Sequence, residues 1–191
     1  MRVIAGKYRS RQLRSLPGLD LRPTADRLRE TLFNVLTAGN PAALEGTVWL
    51  DLYAGTGAVG IEALSRGAGM VHFVESTGRA AELIKQNLAT LGIKGGFQIL
   101  KQDSIRALRV LESGGAVADF VFLDPPYDIE EAYLQTLAAL SKSRLLKPES
   151  VVIVEHRKKF DPGEAFEELR RYRKLGQGDA VLSFYRLDYT Q

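Results

Sequence analysis

Between residues 48 and 155, short apolar runs alternate with longer segments that read as helices. The apolar runs cover residues 48–52, 70–75, 97–101, 118–123 and 150–155, and the helical segments cover 58–66, 78–91, 104–112 and 130–141. Strands that are separated by helices are joined by right-handed crossovers, which produce a parallel sheet with helices on both faces. The alternation therefore predicts an α/β fold built on a doubly wound sheet.

The last part of the chain departs from this alternation. Residues 166–174 and 180–188 read as two consecutive strands joined around Gly176 and Gly178, with no helix between them. A loop this short allows only antiparallel pairing. We therefore expect a seven-stranded, mostly parallel sheet that ends in an antiparallel hairpin.

The first residues read as a separate basic unit. Residues 2–14 alternate basic with apolar or small residues around Gly6, which predicts a short two-stranded hairpin. A helix that extends to about Thr37 follows it. We divide the chain into a basic β-hairpin extension, residues 1–21, and a main domain, residues 22–191.

The positive charge is concentrated in this first part. Residues 1–30 contain eight Lys or Arg and three acidic residues, whereas the whole chain has a formal net charge of +3. A basic arm on a near-neutral body suits a polyanionic partner, because each cation placed at a phosphate releases counterions. A merely solvated basic tail is the alternative.

Composition excludes several classes of site. The 191 residues include no cysteine and only two histidines, His72 and His156. Thiolate catalysis, disulfides and cysteine-ligated zinc are therefore excluded, and no metal site is expected. The chain has no apolar stretch of membrane-spanning length, and its first residues lack the apolar segment of a signal peptide. We expect a soluble cytoplasmic protein with no membrane partner.

A glycine-rich turn follows the first apolar run. Gly55, Gly57 and Gly60 form a G-x-G-x-x-G pattern between a predicted strand and a predicted helix, and Glu75 lies twenty residues after Gly55 at the end of the next strand. In this context the pattern predicts a cofactor site in which the Glu75 carboxylate binds ribose hydroxyls. Glycines needed only for a tight turn are the alternative.

Two further carboxylates bear on which cofactor binds there. Asp51 ends the first strand, where its charge would repel a pyrophosphate but suit the ammonium and sulfonium groups of S-adenosylmethionine. Asp103, at the end of the third strand, is placed to accept the adenine amino group, although the cap of the helix that starts at Ser104 is an equally good interpretation. We therefore rank a methyl donor above a dinucleotide.

The fourth strand ends in a second motif, Asp124, Pro125, Pro126 and Tyr127. The Asp124 carboxylate and the Pro125 carbonyl are both acceptors, so together they suit the two hydrogens of an exocyclic amino group. The Tyr127 ring is placed to stack on the attached base. A tight strand-ending turn is the alternative, because two prolines cannot continue a β ladder.

Topology brings the two motifs together. In a doubly wound sheet of order 3-2-1-4-5, strands 1 and 4 are neighbours, and ligands bind at the carboxyl ends where the order reverses. The glycine turn follows strand 1, and residues 124–127 follow strand 4. The sequence therefore predicts one site that holds a methyl donor beside an amino-bearing base.

The chain resembles the bacterial N2-guanine methyltransferases of small-subunit ribosomal RNA, which are class I S-adenosylmethionine-dependent methyltransferases. The resemblance covers residues 2–11, 22–34, 51–57, 62–68 and 124–127. The 124–127 motif is similar to that of many amino methyltransferases, whereas the 22–34 segment is more specific to this family. Tyr53, Thr56 and Gln102 stand where the family usually has Phe, Ser and Gly. These departures remove no functional group that the chemistry needs.

The resemblance implies a Rossmann-like class I methyltransferase fold and methyl transfer to the exocyclic N2 of a guanine in 16S rRNA, by resemblance guanine-966. The substrate it implies is 16S rRNA, within an assembling or a complete 30S particle. We assign catalysis to Asp124, Pro125, Pro126 and Tyr127; cofactor binding to Asp51, Tyr53, Ala54, Gly55, Thr56, Gly57, Glu75, Asp103 and Ser104; and RNA binding to Arg2, Lys7, Arg9, Arg11, Arg14, Arg22 and Arg27.

Three other functions stay open at this point. A DNA adenine or cytosine amino methyltransferase would share both motifs, but such enzymes usually have an added domain that reads sequence. A NAD-dependent oxidoreductase would explain the glycines and Glu75 while leaving Asp51 and residues 124–127 without a role. In a non-catalytic RNA-binding assembly protein, the cofactor pocket would be vestigial and would have no catalytic role.

Overall fold

The computed structural model describes residues 1–15 and 23–188, which form five helices and eight strands. The helices are α1 (Pro23–Leu36), α2 (Ala58–Ser65), α3 (Gly78–Leu91), α4 (Ser104–Ser113) and α5 (Glu130–Ser141). The strands are β1 (Val48–Leu52), β2 (Met70–Val74), β3 (Phe97–Leu100), β4 (Ala118–Leu123), β5 (Leu146–Arg157), β6 (Ala165–Phe166), β7 (Leu169–Gln177) and β8 (Ala180–Leu187).

All eight strands belong to one sheet, in the order β3-β2-β1-β4-β5-β8-β7-β6. The strands β3, β2, β1, β4 and β5 pair in parallel, and β5, β8 and β7 pair antiparallel. This arrangement confirms the doubly wound, mostly parallel sheet with an antiparallel end. It also confirms that β1 and β4 are neighbours at the point where the strand order reverses.

The antiparallel end contains one strand more than the sequence predicts. Residues 166–174 are predicted as one strand, but Phe166 belongs to the two-residue strand β6, which turns back and pairs with the start of β7 through Phe166 and Leu169. The turn places Glu167 at a φ of 49°, in the left-handed region. That conformation usually favours glycine, so nothing in the local sequence indicates the turn.

The N-terminal residues form a closed loop held by one antiparallel bridge, between Arg2 and Gln12. The bridge consists of two backbone hydrogen bonds: Val3 N–H donates to the Arg11 carbonyl at 3.0 Å, and Leu13 N–H donates to the Met1 carbonyl at 3.1 Å. A third bond, from Ser10 N–H to the Val3 carbonyl at 2.9 Å, reinforces it. We refer to residues 1–15 as the N-terminal segment.

Two hydrophobic clusters cover the two faces of the sheet. The first contains apolar side chains from the N-terminal segment, α1, α2 and α3, and the second contains those of α4 and α5. Trp49 lies in the first cluster, fully buried, and stacks between Phe33 and Phe120 with ring centroids 5.3 and 4.8 Å away. The N-terminal segment and α1 therefore lie on the same face of the sheet as α2 and α3.

In the ranges described above, no helix has both the length and the apolar character needed to cross a bilayer.

Candidate active site

The glycine-rich turn depends on backbone conformations that few residues adopt. Tyr53, Gly55 and Gly57 have φ angles of 63°, 54° and 76°, so the chain enters the left-handed region three times within five residues. A Cβ atom on Gly60 would lie 2.3 Å from the Phe73 ring, so this glycine lets α2 pack closely against β2. The turn thus leaves β1 abruptly and starts α2 directly behind the edge of the sheet.

Glu75 lies beside this turn, as predicted. Its carboxylate accepts the Gly55 N–H at 3.0 Å and the Thr77 N–H at 2.9 Å. The register explains the proximity, because Leu52 and Val74 pair across β1 and β2, and Glu75 is the residue after Val74. The carboxylate is therefore fixed at the edge of the cleft described below.

Asp51 lies beneath the turn and is only 2% exposed. One carboxylate oxygen accepts the Gly60 N–H at 2.9 Å. Burial raises the pKa of Asp51 to about 7, against the opposing effect of the Gly60 hydrogen bond, and the negative charge of Glu75 raises it further. Asp51 thus supports the start of α2 while placing a titratable group directly under the turn.

A cleft of about 200 Å³ opens at the carboxyl ends of β1, β2 and β3. Four of the residues predicted to bind a cofactor line it: Tyr53, Glu75, Asp103 and Ser104. Asp103 also caps α4, because its carboxylate accepts the Arg106 N–H at 2.9 Å, as the alternative interpretation predicted. Val74, Ser76, Gln102, Ile105, Ala132, Gln135 and Thr136 complete the lining.

The 124–127 motif lies beside the glycine-rich turn. Leu52 on β1 pairs with Leu123 on β4, so Tyr53 and Asp124, which follow them, start their loops side by side. Asp124 is partly buried. Burial raises its pKa well above the ordinary value, and the nearby charges of Glu155 and Asp51 raise it further. The two motifs therefore meet at the switch point, as predicted from topology.

The proline and tyrosine of this motif are held by specific partners. The Pro125 carbonyl accepts a hydrogen bond from the Tyr133 hydroxyl at 3.1 Å. The Tyr127 hydroxyl donates to Glu155 Oε1 at 2.9 Å, and the Arg157 guanidinium lies 4.7 Å from the Tyr127 ring centroid. One face of the ring predicted to stack on a base is thus covered by Arg157.

Sequence reasoning missed four of these supporting residues. Tyr133 and Thr136 come from α5, where Tyr133 is buried and Thr136 hydrogen-bonds to the Tyr53 hydroxyl at 2.7 Å. Glu155 and Arg157 come from the end of β5. Glu155 did carry a signal, because it follows four buried apolar residues at the carboxyl end of a parallel strand, just as Asp124 follows β4.

The N-terminal segment is bound to α2 through a fully buried glutamate. Glu62 is 0% exposed and accepts the Ile4 N–H at 2.7 Å and the Ala5 N–H at 3.0 Å. Two arginines balance its charge, with Arg66 Nε at 2.7 Å and Arg29 Nε at 3.9 Å. The segment is therefore docked on the main sheet through its backbone.

Gly6 and Ser65 extend this contact. The Lys7 N–H donates to the Ser65 carbonyl at 2.7 Å, and the Ser65 hydroxyl donates to the Ala5 carbonyl at 2.6 Å. A Cβ atom on Gly6 would lie 1.9 Å from the Ser65 carbonyl oxygen. Only glycine therefore allows the segment to approach α2 this closely.

A buried amide, that of Asn87, joins the N-terminal segment to the glycine-rich turn. The Asn87 side chain accepts the Arg14 N–H at 2.8 Å and donates to the Arg14 carbonyl at 3.1 Å. The same side-chain nitrogen donates to the Thr56 carbonyl at 3.0 Å. The segment and the turn are thus held by one residue of α3.

The cations predicted to bind RNA are distributed over this segment and α1. Arg2, Arg9 and Arg27 line a second cleft of about 380 Å³, together with Asp26 and Glu30. Arg29, the neighbouring arginine of α1, forms an ion pair with Asp26 at 3.0 Å. Of the other predicted cations, Arg11 donates to the Thr90 carbonyl, Arg14 donates to Gln86, Lys7 lies over the Tyr8 ring, and Arg22 is outside the described residues.

Comparison with known proteins places this arrangement in a family. A family model described as "Conserved hypothetical protein 95" matches residues 1–186. Ribosomal RNA small subunit methyltransferase D of Haemophilus influenzae is 38% identical over 159 residues, 83% of this chain and 79% of that one. YlbH of Bacillus subtilis is 32% identical over 186 residues, 97% of this chain and 98% of that one.

Solved structures show the same relationship. The structure of yhhF from Escherichia coli is 30% identical, has a TM-score of 0.81 and covers 100% of this chain and 99% of that one. The fold alone is shared more widely: SMU.776, solved in complex with SAH, is 13% identical with a TM-score of 0.68, over 87% of this chain and 50% of that one. The chain therefore belongs to the family described as "Conserved hypothetical protein 95" and is a homologue of the small-subunit ribosomal RNA methyltransferases D.

Proposed function

We propose that this protein transfers a methyl group from S-adenosylmethionine to the N2 amino group of a guanine in small-subunit ribosomal RNA. The observation that carries the proposal is the pairing of Leu52 with Leu123, which joins the glycine-rich turn to the 124–127 motif at one edge of the sheet. The names of the methyltransferase D homologues support the reaction type and the RNA substrate. Guanine-966 stays an expectation from the family resemblance.

The cofactor residues suit a methyl donor better than a dinucleotide. In dinucleotide sites the N–H groups of the glycine-rich turn face a pyrophosphate, but here the Gly55 N–H already bonds to the Glu75 carboxylate. Asp51 adds a second acidic group beneath the same turn. An anionic pyrophosphate would be repelled by both, whereas the sulfonium and ammonium of S-adenosylmethionine are cations.

The residues that line the cleft suggest the roles of the cofactor residues. Glu75 would bind the ribose hydroxyls, and Asp103 and Ser104, which line the same cleft, would hold adenine. Asp51, Tyr53, Ala54, Gly55, Thr56 and Gly57 would hold the methionine end. When bound, the cofactor supplies an electrophilic methyl group on a positively charged sulfur.

The acceptor residues make a poor nucleophile reactive. The lone pair of a guanine N2 is delocalised into the ring, so Asp124 and the Pro125 carbonyl would accept its two hydrogens and favour tetrahedral geometry at nitrogen. The Tyr133 hydroxyl, which bonds to the Pro125 carbonyl, holds that acceptor in place. As the N–C bond forms and the C–S bond breaks, the nitrogen becomes cationic and gives its extra proton to the Asp124 carboxylate.

Positioning supplies most of the acceleration in this mechanism. In-line arrangement of two reactants is worth on the order of 7–11 kcal/mol in favourable models. Tyr127 is held by Glu155 and Arg157, so its free face is presented in a fixed orientation. Stacking of an extruded base on such a ring contributes roughly 1–3 kcal/mol.

The N-terminal segment and α1 would bind the RNA backbone. Arg2, Arg9 and Arg27 share one cleft, and its two carboxylates, Asp26 and Glu30, leave a net positive charge. Lys7, Arg11, Arg14 and Arg22 are assigned to the same role. A basic surface this small is consistent with a substrate whose own shape contributes to recognition, such as 16S rRNA in an assembling or complete 30S particle.

Labelled methyl transfer tests the proposal directly. Wild-type protein and labelled S-adenosylmethionine are incubated with 30S particles, naked small-subunit RNA or duplex DNA, and the labelled nucleoside is identified. We expect N2-methylguanosine from the RNA or the particle. Label in DNA alone, or in another nucleoside, would contradict the proposal.

Substitution of Asp124 tests the mechanism. Asp124→Ala removes the acceptor and proton-binding group, so we expect transfer to fall by about 10²- to 10⁴-fold. Asp179→Ala, at an exposed aspartate in the β7–β8 turn, is the matched control and should keep wild-type activity. Full transfer by Asp124→Ala would show that the mechanism is wrong.

A further inference from the structure

Glu155 lies next to Asp124 at the carboxyl edge of the sheet. Leu123 and Val154 pair across the parallel strands β4 and β5, so Asp124 and Glu155 are the next residues in register. Neighbouring strands are about 4.8 Å apart, which brings two such side chains close together when they share a face. The preceding pair, Phe122 and Ile153, both belong to the first hydrophobic cluster, so alternation directs Asp124 and Glu155 toward that same face.

The Glu155 carboxylate has lone-pair positions that are able to accept further hydrogen bonds. Within residues 1–15 and 23–188, the side-chain hydrogen bond to Glu155 comes from the Tyr127 hydroxyl, at Oε1. A carboxylate has about four lone-pair positions, so one neutral donor satisfies only part of it. Burial raises the pKa of Glu155 overall, while the Tyr127 hydrogen bond and the attraction of Arg29 lower it in part. Because lone-pair positions remain open, the ionised carboxylate can accept a further donor from a ligand.

The bases that carry an exocyclic amino group differ in the atom beside it. In guanine, the N2 amino group is next to N1–H, a second donor. In adenine the amino group is next to N1, and in cytosine it is next to N3, both of which are bare acceptors. When both are ionised, two adjacent carboxylates match the donor pair of guanine, and hydrogen bonds from those donors favour the ionised forms. The same carboxylates would face a repelling lone pair in adenine or cytosine.

We propose that Glu155 is a specificity-determining residue that accepts the N1–H of the guanine whose N2 amino group is held by Asp124. This inference rests on the proposed function and deepens it. The Tyr127 hydroxyl keeps its bond to Oε1 and thereby orients the carboxylate, and the base takes the remaining acceptor positions. Selection of guanine over adenine and cytosine then comes from β5 as well as from the 124–127 motif.

An analogue of guanine separates this role from simple support of Tyr127. The base 2,6-diaminopurine keeps the N2 amino group but has a bare acceptor at N1. After the methylated nucleotide has been mapped, RNA fragments carrying guanine or 2,6-diaminopurine at that position are compared by kcat/KM. We expect the wild-type protein to prefer guanine by about 100-fold or more, because the analogue leaves Glu155 facing a lone pair.

Two substitutions then test the residue itself. Glu155→Gln can donate its amide hydrogen to N1 of 2,6-diaminopurine, so the preference for guanine should narrow at least about tenfold. Glu155→Ala should lose activity on guanine without gaining it on the analogue. Glu149→Gln, at an exposed glutamate of the same strand, is the matched control and should keep the wild-type preference. Thermal unfolding and binding of S-adenosylmethionine verify that each variant is folded.

Two results would overturn the inference in distinguishable ways. If wild-type protein methylates guanine, and Glu155→Gln reduces transfer to both bases by the same factor, then Glu155 only supports Tyr127. If wild-type protein methylates no guanine in any RNA, then the proposed function fails and the role of Glu155 fails with it.

Discussion

Glu62 and Glu155 represent two regions that shield acidic side chains from water in different surroundings. Glu62, where the N-terminal segment docks on α2, accepts two backbone N–H groups and faces two arginines. Glu155, at the switch point, accepts a side-chain hydrogen bond from the neutral Tyr127 hydroxyl. The like charge of Asp124 lies beside it, together with the attraction of Arg29. The first carboxylate has its lone pairs satisfied by the protein and fixes structure. The second retains capacity for a ligand.

The largest expected effect comes from removing the satisfied carboxylate. Glu62→Ala leaves Arg66 without its buried counter-charge and leaves Arg29 with Asp26 alone. It also frees the Ile4 and Ala5 N–H groups. Breaking a buried pair in this way costs about 3–5 kcal/mol of unfolding free energy. Urea unfolding measures it, with Glu82→Ala as control, because Glu82 is exposed and lies 3.9 Å from Lys85. Equal free energies of unfolding for the two variants would contradict the structural role of Glu62.

The stability of the switch-point region should depend on pH through Asp51. Asp51 has a pKa raised from 3.8 to about 7 in the folded protein, so its contribution to stability is full below pH 4 and is lost as pH rises through 7. Asp51→Asn cannot ionise and avoids that loss. Between pH 4 and pH 8 the variant should therefore gain on the order of 3–4 kcal/mol relative to wild type. Unfolding midpoints measured across this range check the gain, and a constant difference would contradict it.

A smaller effect is expected where the N-terminal segment approaches α2. Gly6→Ala meets the Ser65 carbonyl oxygen, 1.9 Å from the new Cβ, at a φ of 81°. We expect a cost of about 2–3 kcal/mol, from backbone strain together with the displaced contact. Gly39→Ala is a close control, because Gly39 has the same φ of 81° and no atom within 4 Å of a built Cβ. Its cost should be about 1 kcal/mol, and equal costs would show that the close approach contributes nothing.

Local signals account for the part of the site that the sequence predicts. Asp51, Gly55 and Gly57 can be predicted as site residues because a strand, a turn and the start of a helix follow one another within thirteen residues. The motif from Asp124 to Tyr127 can be predicted for a similar reason, because a carboxylate and two prolines directly follow the strand. In both cases, one short stretch of chain contains all the residues that define the feature.

The remaining site residues depend on how the strands pair, and a single sequence does not show the pairing. Glu155 becomes part of the site only because Val154 pairs with Leu123, and β5 was read as strand without any role for its last carboxylate. The sequence assigns no role to Glu62, because its burial depends on the docking of the distant N-terminal segment on α2. Glu167 adopts a left-handed turn without a glycine, and β6 was therefore merged with β7.

The bridge formed by Asn87 has a consequence for protein engineering. One amide holds Arg14 of the N-terminal segment and Thr56 of the glycine-rich turn, while Glu62 anchors Ile4 and Ala5. In a chimera that replaced only residues 1–15 with the corresponding segment of a relative, the buried Asn87 amide and the buried Glu62 carboxylate would face a different backbone. A working exchange would therefore have to include the surfaces of α2 and α3 that contact the N-terminal segment.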